Sequence, residues 1–226
     1  MNTLGTTLET APALRNALAW AVALLVPVAL VLTAVRLLMA PAYVRIEYSM
    51  PGFPPDPFGF TREDRLYWSR IAVDYLTNDQ GISFLGDLRF EDGTPVYNER
   101  ELRHMVDVKN TVRAALSVWY LSLGLLLVLG VGALLTRNGE AFRLGLSRGG
   151  LLTVLLLAAI ILFVLLAFGV IFVAFHNVFF APGTWTFLYS DTLIRLFPER
   201  FWRDTFIAIG LLAGGPGLAM WYFLKR

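Results

Sequence analysis

Cysteine is absent from this 226-residue chain, histidine occurs only twice, and charged side chains make up 16% of it. Without cysteine there is neither a disulfide nor a thioester intermediate. A net charge of +2 is too small to suggest a nucleic-acid partner. What fills the space is apolar: 57% of the residues are hydrophobic and the few charges are clustered, which excludes an ordinary soluble domain and specifies an integral membrane protein.

Four apolar runs are long enough to cross a bilayer, which takes about 20 residues of helix. They predict transmembrane helices over 17–40, 111–135, 151–175 and 206–226, the last including the C-terminus. The first run is about twice the length of a signal-peptide core and reads as a retained helix. Pro27 and the Gly214-Gly-Pro-Gly217 string predict kinks. Between the second and third runs, residues 136–150 carry Arg137, Arg143 and Arg148 against one acid, Glu140, and the chain ends in Lys225-Arg226. Basic short loops belong in the cytoplasm, which also places residues 1–16 there. Residues 41–110 and 176–205 are then extracytoplasmic.

The first of these outer segments is large enough for a small cap. Tyr43-Val-Arg-Ile-Glu-Tyr48 alternates as a strand does, and a proline-rich stretch from Met50 to Phe60 forbids helix. Thr61 with Asp64 forms a capping box that starts a helix whose Trp68, Ile71, Ala72 and Tyr75 share one face. Residues 82–96 suggest a hairpin turning at Asp92-Gly93. Asn98 with Glu101 starts a second helix, expected to run on into the second span. The expected fold is therefore an all-α membrane bundle of four transmembrane helices with a small extracytoplasmic α+β cap between helices 1 and 2. The second outer segment is dense in aromatics, including Phe179, Phe180, Trp185 and Phe187, and is expected at the outer interface, where Arg195, Arg200 and Arg203 meet lipid phosphate or simply snorkel.

Both histidines, His104 and His176, fall where an apolar run meets an outer segment. Each helix carries its histidine about 50 Å and about 42 Å from the basic loop, at 1.5 Å per residue, so the two imidazoles come to similar heights. They are able to meet in one acid/base site, with Asp107 one turn from His104 to orient it. The opposing reading is an interfacial histidine with only local hydrogen bonds and a surface i, i+3 pair. A transporter is disfavoured because the spans hold only Arg36 and Arg113, both near their outer ends. A noncatalytic lipid- or lipoprotein-binding receptor or assembly factor stays open.

Several strings are more specific than any periodicity: Pro51-Gly-Phe-Pro-Pro-Asp-Pro-Phe-Gly-Phe-Thr61, His104-Met-Val-Asp-Val-Lys109, Phe175-His176 followed by Trp185, and Asp191-Thr-Leu-Ile-Arg-Leu-Phe-Pro198. In this order they closely resemble the bacterial lipoprotein intramolecular transacylase family, Lit, along the whole chain. The resemblance implies a multi-pass enzyme of the bacterial cytoplasmic membrane, active on the extracytoplasmic side. It would move the sn-2 acyl chain of a diacylglyceryl lipoprotein onto the α-amino group of its N-terminal cysteine, giving the lyso-form. The family's catalytic histidines match His104 and His176. Asp107 is added as a supporting residue, and Phe58, Phe60, Phe179, Phe180, Trp185 and Arg195 as substrate-binding residues. Nucleophile and ester sit on one substrate molecule, so no covalent enzyme intermediate, cofactor or metal is expected. The expected partners are the lipoprotein and membrane lipid.

Overall fold

The structure, a computed structural model, describes residues 12–225. The first eleven residues of the expected cytoplasmic N-terminus, and Arg226, lie outside the described residues. Among the described residues eight helices follow in order: α1 (Pro12–Leu38), α2 (Pro41–Glu47), α3 (Arg62–Thr77), α4 (Ser83–Gly86), α5 (Glu99–Leu135), α6 (Gly139–Phe179), α7 (Thr192–Leu196) and α8 (Glu199–Leu224). Among the described residues, α1, α5, α6 and α8 are long and apolar enough to cross a membrane. Leu121, Leu127, Leu166, Val170 and Phe223 on them stand more than 60% exposed, as lipid-facing side chains do.

α6 packs against α1 and α8, and small residues let the backbones approach closely. A Cβ at Gly145 would lie 2.6 Å from Val22 Cβ and 2.7 Å from the Ala19 carbonyl oxygen; at Gly149 it would lie 2.5 Å from Val26 Cβ. Gly145-Leu-Ser-Arg-Gly149 spells the Gly-x-Ser-x-Gly pattern of serine hydrolases, but it lies inside a helix, and buried Ser147 donates to the Trp221 carbonyl at 3.3 Å. The string is a helix-packing device. Gly149→Val is expected to destabilise the bundle by more than the ~1–3 kcal/mol of ordinary overpacking, because the obstacle includes backbone. A thermal melt in detergent checks this, and an unchanged midpoint would contradict the packing.

The one residue with non-helical backbone angles inside a long helix, among the described residues, is not at a proline. Pro27 lies within α1 and Pro216 within α8, and α6 is broken at Ala167 (φ −151°, ψ 51°), which no proline marks.

The cap differs from the expected α+β form: among the described residues it is helical, with one isolated bridge between Arg89 and Pro95. The Tyr43–Tyr48 stretch is α2, opened by Pro41 in its first turn and buried through Tyr43, Val44 and Glu47. Its alternation was a poor guide because a helix of seven residues buries too few positions to show a 3.6-residue period. Residues 88–96 do turn back at Gly93 (φ 81°), with Phe90 N donating to Thr94 O and Val96 N to Leu88 O, but the pairing stops there. Both capping boxes form, at Thr61 with Asp64 and at Asn98 with Glu101, and α5 runs unbroken from cap into span. Ala72 and Tyr75 of α3 are buried in one core with Leu85, Val96, Tyr97, Met105, Leu193 and Leu196.

Beneath α2, the Glu47 carboxyl is 3% exposed with Oε1 unpartnered, beside the Arg200–Asp204 pair of α8. Burial first, and then the Asp204 carboxyl, push Glu47 up to about 7 from an ordinary 4.5. Over that window the folded protein binds the proton more tightly than the unfolded chain, so stability is expected to fall as pH rises from about 4.5 to 7. Glu47→Gln should flatten that stretch of a melting-temperature-against-pH curve; an unaltered slope would assign it to other groups.

Candidate active site

α5 and α6 touch over little of their length, yet they bring the two histidines together at the cap end. His104 is placed by the start of α5. Asn98 Oδ1 accepts from the amides of Arg100 and Glu101, both at 3.0 Å, while Glu101 Oε2 accepts from Asn98 N at 2.8 Å. The other oxygen of buried Glu101 takes Leu193 N at 2.7 Å, locking α7 to the same turn. His176 sits in the last turn of α6, beyond the break at Ala167. Its Nδ1–H donates to the Phe172 carbonyl at 2.7 Å. A carbonyl only accepts, so this bond fixes the tautomer of the neutral ring and leaves Nε2 as a free acceptor.

The imidazole centroids are 6.2 Å apart with planes at 22°, and the two residues are 8% and 9% exposed. Aromatic side chains enclose them. Phe180 and Phe187 stand edge-on to His104 at 4.8 and 5.3 Å, and Phe172 and Trp185 lie tilted on His176 at 4.0 and 4.8 Å. Two buried nitrogens here, His104 Nδ1 and Trp185 Nε1, have no hydrogen-bond partner among the described residues. A base with a fixed lone pair beside polar nitrogens that have no partner among the described residues, in an apolar enclosure, is equipped for proton transfer on a group bound there.

The segment bearing Trp185 is folded back by a turn at 181–184, where Gly183 takes φ 82° and Thr184 N donates to the Ala181 carbonyl at 3.2 Å. Asp191 then holds the returning chain. Its Oδ2 accepts from Leu188 N and Arg100 Nη2, both at 2.9 Å, and its Oδ1 accepts from Asn98 Nδ2 at 3.1 Å. Arg100 in turn lies over the Phe187 ring at 5.7 Å. Phe187 belongs to the aromatic-rich segment expected at the interface, whereas Phe172 and the Arg100–Asp191 pair carry no local signal in the sequence.

The remaining site residues divide. Phe180 and Trp185 join the histidines, and Phe179 stands at the margin, 49% exposed and against Phe175 at 4.8 Å. Phe58, Phe60 and Arg195 gather elsewhere on the cap. Arg195 Nη2 pairs with Asp56 at 2.9 Å, and the guanidinium lies 3.4 Å from the Phe60 ring centroid and 5.8 Å from that of Phe58. Phe58, Arg195, Tyr189, Ile194 and Pro54 line a separate cavity of about 240 Å³. Among the described residues no hydrogen bond joins Asp107 to His104; the Asp107 carbonyl accepts from Thr111 Oγ1 at 2.9 Å instead.

A bundle of four helices long and apolar enough to cross a membrane, with a helical cap at one end and two buried histidines paired where α5 and α6 meet, defines a multi-pass membrane protein. Residues 20–202 match the family described as lipoprotein intramolecular transacylase Lit, and the chain belongs to that family. It is thus related to membrane transferases that process lipoproteins. The chain is also 31% identical to an uncharacterized protein of Aquifex aeolicus over 179 residues, 79% of each chain. Among solved structures it is similar to the membrane-integral lipoprotein intramolecular transacylase Lit of Bacillus cereus, at 20% identity and a TM-score of 0.62 over 93% of this chain and 94% of that one. A variant of that protein with one histidine replaced by alanine gives a TM-score of 0.67 at 21% identity, covering 94% and 93%. At these identities the structures share the fold.

Proposed function

We propose that this protein moves the sn-2 acyl chain of a diacylglyceryl lipoprotein to the α-amino group of its N-terminal cysteine, on the extracytoplasmic side of the membrane. The observation that carries the reading is the His176 Nδ1–H bond to the Phe172 carbonyl, which leaves Nε2 as a base within a nearly closed aromatic pocket beside His104. In this account the free amine attacks the ester carbonyl carbon, and His176 Nε2 takes the proton released from nitrogen. The tetrahedral intermediate then collapses: the bond to the glycerol oxygen breaks and the same proton returns to that oxygen, leaving an amide and a free hydroxyl. His104 holds the developing oxyanion. Proton transfer and oxyanion stabilisation each contribute on the order of 10²- to 10³-fold or more. Orientation within one substrate supplies much of the rest.

Phe179 and Phe180 would guide the acyl chain, entering between α5 and α6 from the bilayer. Arg195, held by Asp56, is better suited to shaping the cap than to gripping a phosphate. Asp107 would act on His104 only after a side-chain movement. The basic turn between α5 and α6 supports a cytoplasmic position for that end and an extracytoplasmic one for the histidines. The test is a diacylglyceryl lipopeptide added outside sealed, right-side-out vesicles holding the protein, followed by mass spectrometry. The expected product carries the acyl group on nitrogen; unchanged peptide, bound or free, would mean a binding protein or the opposite orientation, which opening the vesicles distinguishes.

A further inference from the structure

Trp185 forms a wall of the pocket: its indole lies tilted on His176 with centroids 4.8 Å apart and edge-on to Phe172 at 6.5 Å. A phenylalanine would make the same contacts. What a phenylalanine lacks is the Nε1–H, and that atom is shielded from water with no acceptor among the described residues. Buried donors are nearly always paired, and an unpaired one beside a candidate base marks a place where a ligand supplies the acceptor. Indole nitrogen is only ever a donor, so the group it awaits is a carbonyl or an oxyanion. The other nitrogen of the pocket without a partner among the described residues is His104 Nδ1, on the ring whose centroid lies 6.2 Å from that of His176.

We propose that Trp185 Nε1–H is a catalytic hydrogen-bond donor, pairing with His104 to form the oxyanion hole of the acyl transfer. The inference rests on the functional reading above. As the amine nitrogen bonds to the ester carbon, the carbonyl π electrons move onto oxygen. Trp185 and His104 donate to that oxygen, while His176 Nε2 takes the proton from nitrogen. Re-forming the C=O bond expels the glycerol oxygen, which recovers the proton from His176. Trp185 neither gains nor loses a proton in this sequence. Its position is set by the Gly183 turn on one side and the Asp191 tie on the other, so the donor is held in place before substrate arrives, as an oxyanion hole requires.

The test removes the N–H and keeps the ring. Trp185 is replaced by 3-benzothienylalanine, in which sulfur stands for the N–H in an isosteric ring, alongside Trp185→Phe. Acyl-transfer kinetics and affinity for a phosphonate analogue of the tetrahedral intermediate are then measured on the folded protein. A fall in kcat of about 10²-fold, an unchanged KM and a parallel loss of phosphonate affinity are expected, because the donor binds the transition state and not the ground state. Wild-type kcat in the isostere would overturn the proposal, as would equal losses in substrate and phosphonate affinity. His176→Ala, run in parallel, separates the two levels: if it too turns over at the wild-type rate, the acyl-transfer reading fails, whereas an inactive His176→Ala with a fully active isostere defeats only the role of Trp185.

Discussion

His176→Ala and His104→Ala are each expected to lower the initial rate of acyl migration by on the order of 10³-fold or more, and the double variant to be scarcely slower than either. The expectation follows from geometry. One imidazole has its tautomer fixed by a backbone carbonyl, the other stands 6.2 Å away, and a single enclosure of Phe172, Phe180, Trp185 and Phe187 surrounds both. A proton taken by one ring and an oxyanion held by the other belong to the same transition state, so removing either disables the unit. Rates at matched expression decide the matter. A wild-type rate in either single variant would end the account, and multiplicative losses would mean two independent sites. Asp107→Asn should leave the rate close to that of the parent, since no bond ties its side chain to His104.

The second large effect is expected far from the histidines. Asp56→Ala should destabilise the cap by about 3–5 kcal/mol, because it strands the guanidinium of Arg195. The two side chains are 13% and 1% exposed, and Asp56 also accepts from the Phe60 amide at 2.7 Å. Burial by itself would raise the Asp56 carboxyl, but the Arg195 bond and the Phe60 and Phe58 amides outweigh it and hold it below its ordinary value. A lowered melting temperature with an unchanged rate per folded molecule is the expected pattern. A selective loss of substrate binding would instead return Arg195 to the lipid-binding role first suggested by its basic, interfacial sequence.

How much could be read in advance depended on how local each cause was. The four spans are long apolar runs, and the capping boxes at Thr61 and Asn98 are local in sequence, so both were visible as patterns. The meeting of His104 and His176 was legible because helix rise is constant and the α5–α6 turn is short. The helical character of Tyr43–Tyr48 was hidden by a misleading alternation, and the break at Ala167 has no proline to announce it. Other features depend on pairings that span the chain. Arg195 looked free until its partner Asp56, 139 residues away, came into view. Glu101 read as a capping residue, and only the tertiary fold reveals that its second oxygen fastens α7. Gly145 and Gly149 became packing residues once α1 lay against them.

The central claim is intramolecular transfer from oxygen to nitrogen at the histidine pair, and a crossover experiment addresses it directly. Two diacylglyceryl lipopeptides of different sequence, one with a deuterated sn-2 chain and one without, are mixed with the purified protein, and the products are fragmented in a mass spectrometer. The account predicts that each peptide carries its own former sn-2 chain on the cysteine nitrogen, with no label exchanged between the two. Scrambled label, or an acyl group left on glycerol, would contradict it.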